Sequence, residues 1–362
     1  MPEFASYRIR IFMSVDLVGS TAYKAKEVYP VWVRQIKFFY HQFNIEMVKH
    51  YKSFMHIVKN GHEFADSPPK LWKIVGDEII FCVRVNCFEH LSCCIQAFVQ
   101  ALASFGELLN KQEKQLDVKG SAWIASFPAP NVTIVSIGDI LNVDDYQRHG
   151  ALFSESDEII GDINPSNCDF QGAQIDAGFR VSKFAHSHEL VLSIELAWLL
   201  TLLKKQNLVT FNFIYKGKES LKGVMGGMPY PIIVIQTERM AQKRELEELE
   251  RSVAGSGSIK PIDLYNYITK FMEVNAIEFP VVKFYNEEIR QEDLPKFYQY
   301  VKSIWKIGIS EEENREKTLE DSEKDSSSSL DSEQSSAAQE NAKEIGKMID
   351  RISKKRNSSG KS

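Results

Sequence analysis

The chain has 362 residues, of which 43% are hydrophobic and 26% charged, and a formal net charge of −5. That balance fits an ordinary folded protein, and the acidic sign speaks against a general nucleic-acid binder. The longest apolar run, LVLSIELAWLLTLL at 190–203, carries Glu195 and falls short of a bilayer span.

The opening MPEFASYRIR lacks the apolar core of a secretory leader. Cys82, Cys87, Cys93, Cys94 and Cys168 make an odd set without a paired C-x-x-C, which fits reduced thiols and a cytoplasmic protein. Residues 8–16 alternate and end apolar, so they read as a first strand that stops at Asp16. From Tyr29 to His56, Trp32, Ile36, Phe39, Phe43 and Met47 recur three or four apart, the spacing of a helix with one buried face. GHEFADSPPK (61–70) is a loop by its Gly, Asp and Pro content. KLWKIVGDEIIFCVRV (70–85) reads as strand, Gly-Asp turn, strand, and a helix follows over Phe88–Asn110. Adjacent Cys93 and Cys94 in that helix suit either a zinc or redox pair or plain core packing, where a free thiol acts as a small hydrophobe.

VKGSAWIASFP (118–128) reads as another strand, and the Asn/Asp/Gly-rich 129–165 as an inserted loop with short elements. DFQGAQIDAGFRVSKFA (169–185) opens in a turn and becomes a helix with Ile175, Phe179 and Val181 toward the core. Residues 190–203 give strand then helix, and 209–236 a hairpin. The order β-α-β-β-α-β, insertion, then α-β-α-β-β implies an α+β sheet with helices on one face. Beyond the domain at 1–237, ERMAQKRELEELERS opens a charged helical linker (238–258) that ends in a GSGS joint. An aromatic-rich helical module (259–308) comes next, and then a Ser/Glu-rich tail (309–362) expected to be disordered. Its basic ending, KKRNSSGKS, reads as a solvated tail or as a contact for nucleic acid or anionic lipid.

Two carboxylates stand out: Asp16 in FMSVDLVGST and Asp77 in the 70–85 hairpin. A central pair of strands can bring them together, and with the carbonyl of Leu17 they make a hard-oxygen set suited to Mg²⁺ or Mn²⁺. The turn Gly19-Ser20-Thr21 offers backbone N–H groups where a helical run begins, a place for a polyphosphate. Together these point to metal-assisted chemistry on a nucleoside triphosphate.

FMSVDLVGST, KIVGDEIIFCV, FQGAQIDAGFRVSKFA and SLKGVMGGMPYPIIVI resemble the blocks of class III nucleotide cyclases, in the same order and spacing, over about residues 8–237. The resemblance implies a ferredoxin-like β-α-β-β-α-β core with added elements and a head-to-tail homodimer with active sites across the interface. It also implies two Mn²⁺ or Mg²⁺ ions on Asp16 and Asp77, and in-line closure of a nucleoside triphosphate to the 3′,5′-cyclic nucleotide and pyrophosphate. It makes Arg180 the transition-state arginine and Lys222 a ligand of the terminal phosphates; the residues alone also allow a surface salt bridge and a turn lysine. Asp176 stands where the family usually has a ribose-orienting Asn, and an ionised carboxylate accepts hydrogen bonds but donates none.

Lys73 and Asp169 fall near the pair that reads adenine in adenylate cyclases. Trp72 and Trp123 suit either core packing or a pocket narrowed for a one-ring base. With the aromatic-rich module, this combination resembles the pyrimidine cyclases of the Pycsar antiphage system. That resemblance implies UTP or CTP as substrate and a cyclic nucleotide that signals to a separately encoded effector. An adenylate cyclase and a catalytically dead nucleotide-binding module stand as the alternatives.

Overall fold

A strand covered on both faces sorts its side chains by parity, and the first strand does so. Ile9, Ile11, Met13, Val15 and Leu17 are apolar and buried, while Arg8, Arg10, Phe12, Ser14 and Asp16 share the other face. The computed structural model describes residues 3–113, 115–135, 153–238, 240–253 and 260–307. In chain order its strands are β1 (Arg8–Val18), β2 (Lys70–Val75), β3 (Glu78–Val85), β4 (Asp117–Phe127), β5 (Asn131–Val135), β6 (Cys168–Gly172), β7 (Glu189–Leu192), β8 (Phe213–Ser220) and β9 (Pro229–Gln236). Its helices include α1 (Ser20–Lys26), α2 (Tyr29–Ile57), α3 (Phe88–Gln112), α4 (Glu155–Ile163), α5 (Ala173–Val181), α6 (Ile194–Lys205), α7 (Ala241–Val253) and α8 (Pro261–Val274), with a further helical stretch over 296–307.

Seven strands form one sheet in the order β2-β3-β1-β4-β7-β9-β8, with β4 and β7 parallel and the other neighbours antiparallel. The first four strands and the helices between them make a β-α-β-β-α-β unit of spatial order β4-β1-β3-β2, the ferredoxin-like arrangement. The α+β class expected from the sequence therefore stands. β1 does not stop at Asp16: it continues to Val18, pairing Leu17 with Val118 and Val18 with Asp117.

Helices cover both faces, not the single face expected. On the apolar face α2 meets α3 and the sheet through Phe43, whose ring lies 5.6 Å from Phe105 and 5.9 Å from Phe81. On the other face, Arg8, Arg10 and Phe12 need a cover that satisfies charge as well as area. α4 supplies it for Arg10, whose Nη1 donates to Glu158 Oε2 at 2.6 Å and Nε to Asp162 Oδ1 at 2.8 Å. α5 covers the aromatic part, Phe12 stacked on Trp123 at 5.5 Å. The stretch expected to be an inserted loop contributes β5, paired antiparallel with β6 from Asn131↔Gly172 to Val135↔Cys168, so Asp169 lies in a strand and not in a turn.

The module expected over 259–308 is divided between two compact units. Residues 261–270 and 279–299 belong with the sheet: Trp198 Nε1 donates to Thr269 Oγ1 at 3.0 Å, and Phe284 lies 4.8 Å from Phe88. The described part of the second unit is 271–278 and 300–307. There α8 ends and the chain turns at Ala276 (φ 52°), the Ile277 N–H donating to the Met272 carbonyl at 2.9 Å. The GSGS joint and the Ser/Glu-rich tail lie outside the described residues. Among the described residues one helix, α3, is long and apolar enough to cross a bilayer, and most of its apolar stretch is buried inside the protein.

Candidate active site

Asp16 stands opposite Glu78 of β3 on one side and Lys119 of β4 on the other, so the three side chains lie abreast on one face. Lys119 Nζ is 3.0 Å from Asp16 Oδ2. The Glu78 carboxylate accepts from the Ser14 hydroxyl. Burial, with the charges of Asp16 and Asp77 adding to it, raises the Glu78 carboxyl above its ordinary range despite that bond.

The β2–β3 turn is held at three points, one each from α2, β1 and α1. Gly76 takes φ 64°, and its carbonyl accepts from the Tyr40 hydroxyl. The Asp77 carbonyl accepts from the Leu17 N–H at 3.1 Å. The Asp77 carboxylate accepts from the Ser20 hydroxyl, with Lys24 Nζ 3.9 Å away. Burial, then the charge of Asp77, raises the Tyr40 phenol. Gly19 starts α1 at φ 85°, and a Cβ there would lie 2.5 Å from the Gln115 carbonyl oxygen, so both the dihedral and the contact require glycine.

These ties leave a cleft of about 630 Å³ lined by residues 16–22, Asp77, Lys119 and residues 185–187. Asp16, Leu17, Gly19, Ser20, Thr21 and Asp77, all singled out in the sequence, thus meet in one place. Lys119, Ala185, His186 and Ser187 were not foreseen. Lys119 carried a faint signal, as a charge inside an apolar strand. Residues 185–187 carried none, because the parallel β4–β7 pairing brings them here.

The other candidates do not line this cleft. Lys73 Nζ pairs with Asp169 Oδ1 at 2.5 Å and lies 4.7 Å above the Trp72 ring. Burial works against the Asp169 carboxylate, but the hydrogen bonds from Lys73 and Gln171 hold its pKa below the usual value. Asp176 and Arg180 lie one turn apart on α5, and Lys222 is exposed in the β8–β9 loop.

Trp72 and Trp123 are corrected: they are core residues, 2% and 1% exposed, clustered with Phe12, Phe127 and Phe170. Trp72 Nε1 donates to the Cys168 carbonyl at 3.0 Å. Rings enclosed in this way cannot touch a base. The adjacent thiols Cys93 and Cys94 are likewise buried core groups of α3.

A divalent cation fits the cleft by donor chemistry. The two aspartates are each about one-third exposed, and with the Leu17 carbonyl they offer hard oxygens facing open space. Among the described residues no group of three His, Cys, Asp or Glu side chains is placed to hold a metal ion.

No family model matches the chain, and no curated protein matches it. Among solved structures, the chain is similar to the adenylyl cyclase CyaB from P. aeruginosa, with 12% identity over 65% of this chain and 96% of that one and a TM-score of 0.39. It is also similar to the guanylate cyclase domain of RhGC from Catenaria anguillulae in complex with GTP (9% identity, 65% and 100% covered, TM-score 0.42). A third is the adenylate/guanylate cyclase/hydrolase from Silicibacter pomeroyi (12% identity, 64% and 98% covered, TM-score 0.36).

Proposed function

We propose that the chain is a nucleotide cyclase that closes a pyrimidine nucleoside triphosphate, UTP before CTP, to its 3′,5′-cyclic form. The observation that carries this reading is the meeting of Asp16 and Asp77 in one cleft beside the Gly19-Ser20-Thr21 turn. Two Mn²⁺ or Mg²⁺ ions held by Asp16, Asp77 and the Leu17 carbonyl would supply charge neutralisation and a more acidic 3′-hydroxyl. The chain's own part is positioning. Ser20 and the Leu17 N–H fix Asp77, and the backbone of residues 19–21 together with Lys222 receives the phosphates. Arg180 offers a planar fork to the charge that develops as the 3′-oxygen bonds to the α-phosphorus and pyrophosphate leaves. Asp176 accepts from a ribose hydroxyl.

Lys73, Asp169, Asp176, Arg180 and Lys222 lie outside the cleft of Asp16 and Asp77, which supports a homodimer in which one copy supplies the aspartates and the 19–21 backbone and the other supplies the base, ribose and remaining phosphate contacts. The pyrimidine preference, and with it a signal to a separate effector in antiphage defence, rests on the resemblance to the Pycsar cyclases. The buried tryptophans lend it no support.

A second reading, an adenylate cyclase, is favoured by the Lys73–Asp169 pair, which offers a donor and an acceptor side by side. A dead regulatory module is disfavoured by the retained Asp16, Asp77, Arg180 and Lys222. Turnover of the purified chain with Mn²⁺ and each of ATP, GTP, CTP and UTP decides among them. Cyclic UMP or cyclic CMP supports the proposal, cyclic AMP replaces it with the second reading, and no product from any of the four overturns it. Asp16→Asn with Asp77→Asn is expected to abolish product while the unfolding transition is kept; product from that variant removes the metal assignment.

A further inference from the structure

α7 is nearly all surface. Of its described side chains only Glu247 is partly buried, its Oε2 accepting from Gln236 Nε2 at 2.8 Å. Leu246, Leu249 and Val253 are 56%, 59% and 90% exposed, and their spacing of three and four sets them in one stripe along the helix. A helix of 13 residues is marginal on its own in water. Burying a leucine is worth about 1.5–3 kcal/mol, so covering this stripe would stabilise the helix.

We propose that α7 pairs antiparallel with α7 of a second copy of this chain. The charge pattern selects both the partner and the direction. Taking Leu246 as a and Leu249 as d of a heptad, Gln242 and Val253 become the flanking d and a, Lys243 and Glu250 both fall at e, and Glu245 falls at g. A parallel pair sets Glu245 of one copy against Glu250 of the other and repels. An antiparallel pair sets Lys243 against Glu250 twice, related by the two-fold axis, around a centre of Leu246 packed on Leu249. The contact is isologous, each copy offering the same patch. A membrane surface is the poorer occupant, because the helix sequence carries Glu245, Glu247, Glu248 and Glu250 against Lys243, Arg244 and Arg251, where an interfacial helix favours an excess of cations.

The pairing does not need the nucleotide chemistry but shares the homodimer of the proposed function, so sedimentation equilibrium of the full chain is joined to a cross-link that reads this contact alone. Leu246→Glu with Leu249→Glu is expected to raise the dimer dissociation constant about tenfold or more, with the thermal transition of the sheet domain unchanged. Lys243→Glu and Glu250→Lys each weaken the dimer alone, and together they restore it. As an independent readout, Leu246→Cys and Leu249→Cys chains mixed under oxidising conditions cross-link to each other and neither cross-links alone; the native thiols are all buried. An unchanged dissociation constant in the Leu246→Glu/Leu249→Glu variant, or a wild-type chain that remains monomeric, overturns the pairing. Tighter association of Glu250→Lys alone overturns its direction.

Discussion

Gly178 tests how α5 is held against the sheet. A Cβ at this position would meet three ring atoms of Trp123 at 2.4, 2.4 and 2.5 Å, where carbon contacts settle near about 3.5–4.0 Å. Accommodating it requires α5 to retreat by about 1 Å or the indole to move, and the indole is enclosed by Phe12 at 5.5 Å and Phe179 at 5.3 Å. Two effects oppose each other. Alanine is favoured over glycine inside a helix by about 1 kcal/mol, and overpacking a filled core costs about 1–3 kcal/mol. The clash is with a rigid, enclosed ring, so it prevails. Gly178→Ala is expected to lower stability by up to about 2 kcal/mol in urea unfolding. Asp176 and Arg180 flank the site by two residues, and an ångström of displacement there is expected to lower nucleotide turnover about a hundredfold. In a Trp123→Leu background the same change should be neutral or stabilising. A Gly178→Ala protein that gains about 1 kcal/mol and keeps its turnover would refute the packing of α5 on Trp123.

The fully buried Arg10 guanidinium, bonded to Glu158 and Asp162 and 4.6 Å from the Phe127 ring centre, predicts a loss of about 3–5 kcal/mol for Arg10→Met. Arg10→Met with Glu158→Leu should recover much of it in the same urea titration, and equal losses in the two variants would mean that a stranded Glu158 is not the cause. The His90 ring accepts from the Asn86 N–H on Nδ1 at 3.2 Å and bonds the Ser67 carbonyl through Nε2 at 2.9 Å. Burial holds this neutral ring down to a pKa of about 4. The unfolded chain, at about 6.5, then binds the extra proton between these values, so the contribution of His90, about 3 kcal/mol, is whole above pH 6.5 and is lost as pH falls toward 4. A wild-type stability curve no steeper over that range than that of His90→Gln would exclude this account. Burial raises Cys87 and Cys93 to about 12 and Cys168 to about 11, so an aromatic disulfide reagent should label thiols only at the rate of unfolding. Labelling of the folded protein within seconds would contradict the buried placement.

How much was legible follows from the range over which each signal acts. The β-α-β-β-α-β order and the Gly-Asp hairpin depend on periodicity and turn chemistry within a few residues, and these appear in any reading of FMSVDLVGST and KLWKIVGDEIIF. The strand at Asn131–Val135 escaped because its partner, Cys168–Gly172, lies far along the chain and neither segment is apolar enough to declare itself. Trp72 and Trp123 invited a base-stacking role because an aromatic beside a motif looks the same in sequence whether it faces a pocket or a core.

The sequence by itself determined the strands and helices of the ferredoxin-like core, the parity of β1 and the presence of two carboxylates beside turns, since each is set by local spacing and by what a turn tolerates. Only the tertiary structure decided that Asp16 lies between Glu78 and Lys119, that residues 185–187 close the same cleft, and that Lys73 meets Asp169. Those neighbours are fixed by inter-strand register, and register is settled by burial summed over the whole sheet, where a slip of one residue would turn Arg10 and Phe12 to the opposite face.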